Sequence, residues 1–161
     1  MKNILYCLTL FFLVSLPVSA EEFLPRGEMA IMLYEGYPDK DNIKCTINAF
    51  TDTNAEAFYN EAVSSLSNAG VFQGYRCGKF APDRNTSCAE FLAATMRLYN
   101  IELSDSANLE HKDYWYYSYI HTAVNLHLIN TSDEYYINPD IAISTNDATQ
   151  ILTKIKEEFS D

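Results

Sequence analysis

Few side chains in this sequence stand at spacings that could do chemistry. His121 and His127 lie six apart on one expected helix, which does not place them on one face as the i, i+4 spacing of a metal-binding pair would. Asp39 and Asp41 in PDKDN lack the glycine and the terminal glutamate of a calcium loop. No Ser/His/Asp or Cys/His set is signposted and no glycine-rich phosphate loop occurs, so neither metal, cofactor nor enzymatic activity is expected. Asn85-Thr86-Ser87 and Asn130-Thr131-Ser132 match glycosylation sequons, although Asn85 also sits where a turn wants a polar residue. The run YWYYSY, residues 114 to 119, could form a sugar-stacking platform. At helical spacing Trp115, Tyr119 and Ile120 face inward as core, leaving Tyr116 and Tyr117 for stacking.

The four cysteines need their compartment first. Residues 1–20, MKNILYCLTLFFLVSLPVSA, combine one positive charge at Lys2, an apolar run from Ile4 to Leu16 and the small-residue ending Val18-Ser19-Ala20. That is the pattern of a secretory signal peptide cleaved after Ala20, and the run is shorter than the roughly 20 residues a spanning helix needs. Residues 21–161 are then one domain's worth of chain. Without Lys2, the 11 basic residues become 10 against 22 acidic ones. So acidic a chain makes nucleic acid a poor partner. Cys45, Cys77 and Cys88 remain in an oxidising compartment, and an odd number gives one pair and one spare thiol. A Cys77–Cys88 bridge would close a short loop. A Cys45–Cys77 bridge closes a longer one, which stabilises more, by about 3 kcal/mol. The expectation is therefore a Cys45–Cys77 disulfide and a free Cys88, whose place at a helix start lowers its pKa and makes it the reactive thiol.

These residues are positioned by a repeated unit. A shift of 57 residues lays 58–98 on 115–155 without a gap: Tyr59 meets Tyr116, Asn68 meets Asn125, Pro82-Asp83 meets Pro139-Asp140 and Ser87 meets Ser144. Apolar positions recur in the same register, the mark of a structural repeat. A half copy lies at LPRGEMAIMLY, residues 24 to 34, where Glu28 aligns with Glu90. Each unit reads helix, turn, helix. Ala62, Val63, Leu66 and Ala69 form the apolar stripe of a first helix that Gly70 stops. Gly74-Tyr75 and Gly78 turn the chain, and Phe80 with Pro82-Asp83 anchors the corner. Ser87-x-x-Glu90 is a capping box that opens the second helix, and Ser144-x-x-Asp147 repeats it.

The order Phe50-Thr-Asp52, Phe58, Ala62-Val63-x-x-Leu66, Gly70-Val71, Gly74-Tyr75, Gly78-x-Phe80-x-Pro82-Asp83 and Thr86-Ser87-Cys88-Ala89-Glu90-Phe91 resembles the S-layer homology (SLH) motif. The likeness is strong over 50–100, moderate over 115–155 and weak over 23–36. It implies a mainly α fold in which helix-turn-helix repeats pack as a pseudo-threefold spindle. The single domain, 21–161, would comprise a partial repeat at 23–36 and repeats at 50–100 and 107–158, with the half-copy helix at 26–35 completing the bundle. It also implies a secreted, non-enzymatic module of the periplasm or cell surface that binds a cell-wall or surface glycan, in that family often pyruvylated.

The family's ligand contact is an arginine in a Thr-Arg-Ala-Glu stretch, where a planar fork of donors beside a helix N-terminus suits a carboxylate. By this resemblance the ligand-binding residues here are Arg26, Gly74 and Tyr75. Arg26→Ala should then abolish binding and leave the thermal midpoint nearly unchanged. The other two copies depart from the pattern, with Cys88 and Thr145 in place of the arginine. That departure keeps open an alternative, a protein-interaction or scaffold domain with the same fold, no sugar site and an envelope protein as its partner.

Overall fold

The computed structural model describes residues 22–104 and 114–159. The expected signal peptide and the first residues of the expected repeat at 107–158 lie outside them. The described chain is mainly helical: α1 (Arg26–Gly36), α2 (Asn60–Asn68), α3 (Cys88–Leu98), α4 (Tyr117–Asn125), the short α5 (Glu134–Ile137) and α6 (Thr145–Phe159), with a 3₁₀ turn at Lys40–Ile43. No helix among the described residues is long and apolar enough to cross a membrane.

The 57-residue shift of the sequence reappears in the helices: α4 begins and ends 57 residues after α2, and α6 begins 57 residues after α3. α1 packs on α2 and α3, and α3 packs on α4. Their apolar faces meet in one core in which Leu24, Leu33, Leu66, Phe80, Phe91, Ile143 and Ile155 are buried. Burying side chains of this size stabilises by roughly 1.5–3 kcal/mol each. Phe80 stacks between Phe50 and Phe72, with ring centroids 5.3 and 5.2 Å apart.

The segments entering α1, α3 and α6 are tied in a closed cycle of backbone hydrogen bonds. Leu24 N–H donates to Ile143 O at 3.1 Å, Ile143 N–H to Thr86 O at 2.9 Å, and Thr86 N–H to Leu24 O at 2.8 Å. A second ring joins the same three segments, its donors two residues after and its acceptors two residues before those of the first. Arg26 N–H donates to Arg84 O, Cys88 N–H to Ile141 O, and Thr145 N–H to Glu22 O, at 2.9, 3.0 and 2.9 Å. The first N–H groups of a helix lack intrahelical partners, and here a neighbouring segment supplies them.

Helix ends follow local chemistry. The Ser87–Glu90 capping box forms on both sides. At α6 the Ser144 hydroxyl accepts from Asp147 N–H at 3.0 Å, but Ser144 N–H goes to the Tyr135 hydroxyl, which donates to Asp147 Oδ2 at 2.7 Å. Aspartate is one carbon shorter than glutamate, and the tyrosine relays the return half of the box. Gly70 takes φ +78° at the end of α2, as expected. Asn100 and His127 do the same at φ +51° and +54° after α3 and α4, without being glycine. After all three, the next residue bonds back five positions: Val71 to Leu66, Ile101 to Met96 and Leu128 to Ala123. One expected core position and one expected helix start differ. Ala69 is exposed, because the stop at Gly70 turns the chain away. Phe58 is 76 % exposed, because it precedes α2 instead of opening it.

Candidate functional site

Arg26 opens α1, yet its side chain is only 6 % exposed, because it reaches under the second repeat. Its Nε donates to Phe80 O at 2.9 Å. Its Nη1 lies 3.3 Å from Glu90 Oε1. The guanidinium is flanked by two rings, Tyr75 and Phe80, at 4.8 and 4.7 Å from its carbon. Tyr75 is brought here by the turn that Gly74 begins at φ +63°. A Cβ on Gly74 would stand 2.3 Å from Phe50 Cε1 and 2.8 Å from Lys79 O, so only glycine fits. Tyr75 N–H donates to Lys79 O at 2.7 Å and closes the turn. The corner that follows is fixed by Asp52, whose carboxylate accepts from Phe80 N–H and Ala81 N–H at 2.7 and 2.9 Å. Arg26, Gly74 and Tyr75 thus lie together along one groove of about 530 Å³, walled on one side by α3.

Glu90 is the electrostatic hub of this groove. Its carboxylate accepts from the Tyr75 hydroxyl at 2.5 Å and from the Ser87 N–H at 3.1 Å, and it pairs with both Arg26 and Arg84. Burial alone would raise its pKa; the Tyr75 hydroxyl, Arg26, the Ser87 amide and Arg84 together outweigh it and hold the pKa below the usual value. Burial lowers the pKa of Arg26, opposed by Glu90. The first amides of α1 are not open beside the arginine. Arg26 and Gly27 N–H are taken by Arg84 O and Pro82 O.

Arg84 and Arg97, which carried no expectation, and Trp115, expected in the core, line the same groove together with Asp140. Arg97 donates from Nε to the Tyr119 hydroxyl at 3.0 Å and from Nη1 to Val71 O at 3.3 Å. The signal for Arg84 was its place in Pro-Asp-Arg, between the corner and the capping serine. Trp115 corrects the inward reading of the aromatic run: it is 56 % exposed. The helix begins only at Tyr117, so helical spacing does not extend back to Trp115, whereas Tyr116 packs on the core. Tyr116 and Tyr117, with Tyr114 and Tyr136, line a separate, more apolar groove of about 470 Å³. His127 serves as the left-handed stop of α4.

The equivalent junction one repeat further on has a different character. Its groove, about 200 Å³, is lined by Leu128, Ile129, Asp133, Tyr135, Asp147 and Lys154, so that two carboxylates face one lysine. Cys88 holds the place of Arg26 there and is fully buried. The expectation of a lowered pKa at Cys88 is overturned: burial first, then Asp147 and Asp133, push the thiol up to about 12. The amide that would have favoured the thiolate is occupied by Ile141 O. The three cysteines among the described residues are free thiols, with Cys77 exposed and Cys45 half-buried, and the expected Cys45–Cys77 bridge is not formed. Cys45 is instead held by its backbone against Ser65 of α2.

Residues 49–92 match the family model described as the S-layer homology domain. The chain is also similar to the surface-layer 125 kDa protein of Lysinibacillus sphaericus, 25% identical over 115 residues. That alignment covers 67% of this chain and 10% of the relative, so the chain spans about a tenth of the length of the curated relative it matches.

Proposed function

Because the chain carries an S-layer homology domain over residues 49–92, we propose that it is a non-catalytic cell-envelope module that holds a wall or surface polysaccharide in the groove around Arg26. The observation that carries this reading is the groove itself. Arginines, a tyrosine turn and an exposed tryptophan gather at the one junction that retains the family's arginine. Arginine donors suit carboxylates and an indole face suits the apolar side of a sugar ring. We take the packing to be a pseudo-threefold spindle, a reading supported by the two hydrogen-bond cycles. The domain would run from 21 to 161, with a partial repeat at 23–36 and repeats at 50–100 and 107–158. Its place would be the cell surface or envelope, reached by way of residues 1–20 acting as signal peptide. Co-sedimentation with purified sacculi tests the function. The protein should pellet with native sacculi and stay in the supernatant once the secondary polysaccharide has been stripped; equal pelleting with both would remove the polysaccharide as ligand.

A second reading, a protein-interaction module on the same fold, draws on the second junction, where a buried cysteine replaces the arginine and Asp133 and Asp147 would repel an acidic glycan. An envelope protein retained on a column of the immobilised chain, with no sedimentation on sacculi, would favour it.

A further inference from the structure

Resting on the glycan reading above, we propose that the tyrosine-lined groove beside α4 is a second sugar subsite, continuous with the arginine groove, and that it takes an uncharged residue of the same glycan chain. The groove is a product of the last repeat's own sequence. The 57-residue shift sets Thr131 on Gly74 and Ile137 on Phe80. Gly74 turns the chain at φ +63°, a conformation that a β-branched threonine resists. The chain forms α5 there in place of the tight turn. Phe80 lies in the core between Phe50 and Phe72, whereas Ile137 comes out 74 % exposed at the wall of the groove. Tyr114, Tyr117 and Tyr136, which also line it, stand where the preceding repeat has Ala57, Asn60 and Lys79.

Continuity with the arginine groove is carried by aromatic rings and by one dipeptide. Trp115 lines the arginine groove and Tyr116 the tyrosine groove, and their ring centroids are 5.5 Å apart. Tyr114 stacks on Tyr116, also at 5.5 Å, with the planes 13° apart. On the other side Tyr119, 6.4 Å from Trp115, accepts from Arg97 Nε. Pro139 and Asp140 divide in the same way, the proline lining one groove and the aspartate the other. Burial first, then Asp140 and Tyr114, push the Tyr116 phenol above its ordinary pKa, so the carboxylate of one groove is within electrostatic reach of the other. Ring-to-ring steps of this size suit a glycan that advances one residue at a time.

The lining sets the class of occupant. Four tyrosines, three aliphatic residues and Thr131 surround about 470 Å³, and none of these described residues is charged. An ionic group would lose its hydration there and gain no partner. Each tyrosine joins an apolar ring face to a hydroxyl at its rim, and a neutral pyranose joins an apolar C–H face to hydroxyls around its edge. The volume falls within the roughly 300–1,000 Å³ of small-ligand sites. That is room for one sugar residue, not the broad patch of roughly 800 Å² that a protein partner covers.

The test uses the full chain and wall polysaccharide released from sacculi, fractionated into short fragments that cannot span both grooves and longer ones that can. Trp115, the one tryptophan of the sequence, reports binding through its emission. The wild type should bind the long fragments about fivefold more tightly than the short ones, the worth of one stacking contact. The double variant Tyr114→Ala, Tyr136→Ala should lose that gain and keep its affinity for short fragments. The corresponding pair of Phe substitutions should retain the gain, because the ring does the stacking. Ile137→Arg changes a side chain already outside the core, so it should erase the gain by filling the groove with no change in melting temperature, and it serves where the alanine pair does not fold. The subsite is overturned if the wild type binds short and long fragments alike, or if either groove variant, shown folded by circular dichroism, keeps the gain. A glycan-free dimer in sedimentation velocity that the alanine pair abolishes gives the groove to a second copy and overturns it too. Wild-type pelleting with native sacculi above the stripped baseline, without a gain from length, overturns the subsite and spares the glycan reading; pelleting at the stripped baseline sinks both.

Discussion

At Glu90 burial and its partners pull in opposite directions, and the partners win. A carboxyl whose folded-state pKa is depressed lends stability that is present above its unfolded value, near 4.5, and lost as pH falls through the folded one. Asp52, opposed by burial but held by the amides of Phe80 and Ala81, acts with the same sign. Thermal melts of the wild type should therefore fall steeply below about pH 4.5, and Glu90→Gln should lower the neutral-pH midpoint while flattening that acid limb. Arg26→Ala strips a partner from a largely buried pair, so a loss of about 2 kcal/mol is expected in place of the unchanged midpoint that the sequence suggested. Thr86 runs the other way. Its hydroxyl is buried without a partner among the described residues, at the position where the other two segments carry Leu24 and Ile143, and Thr86→Val should stabilise by about 1 kcal/mol in urea unfolding. For Cys88 the consequence is kinetic. Iodoacetamide on the native protein should label exposed Cys77 first, and Cys88 only on unfolding, since a thiol near pKa 12 supplies almost no thiolate at neutral pH.

Among the elements, the starts of α3 and α6 were the easiest to read, because a capping box is a local signal that needs no knowledge of the tertiary fold. Ser87→Ala should cost about 1 kcal/mol, and Ser144→Ala a similar amount, with Tyr135→Phe adding to the second loss but not to the first, since Tyr135 completes only the α6 box. The ends of helices were half legible. Gly70 announced itself, but Asn100 and His127 adopt the same left-handed stop with side chains that in a sequence read as ordinary helix or as a metal ligand. Trp115 was misplaced for a related reason: periodicity assigns faces only inside a helix, and the residue sits before the first turn of α4. The groove was legible as far as Arg26, Gly74 and Tyr75. That the arginine would be covered was not, since Phe80, Tyr75 and Glu90 converge on it only after the corner held by Asp52 has been folded over α1.

On the scale of the whole molecule, the proposed function predicts a single site per chain, since the arginine-lined junction lies beside one whose arginine is replaced by a buried cysteine. Titration calorimetry with a short wall oligosaccharide should give a stoichiometry near one and modest affinity, and strong retention on sacculi would then need several chains acting together. The cycles of hydrogen bonds that join Leu24, Thr86 and Ile143 have a different kind of consequence, one in time. A ring cannot be closed by two of its three members. The segment made first has to find one made 119 residues later, so the contact that completes the molecule is among the most distant in the sequence. Helices will form early and cheaply in such a chain, while the final step waits on loop closure across nearly its whole length. α1 can pack on α2 and α3 before then, but a nascent chain halted before residue 143 has no way to close the ring.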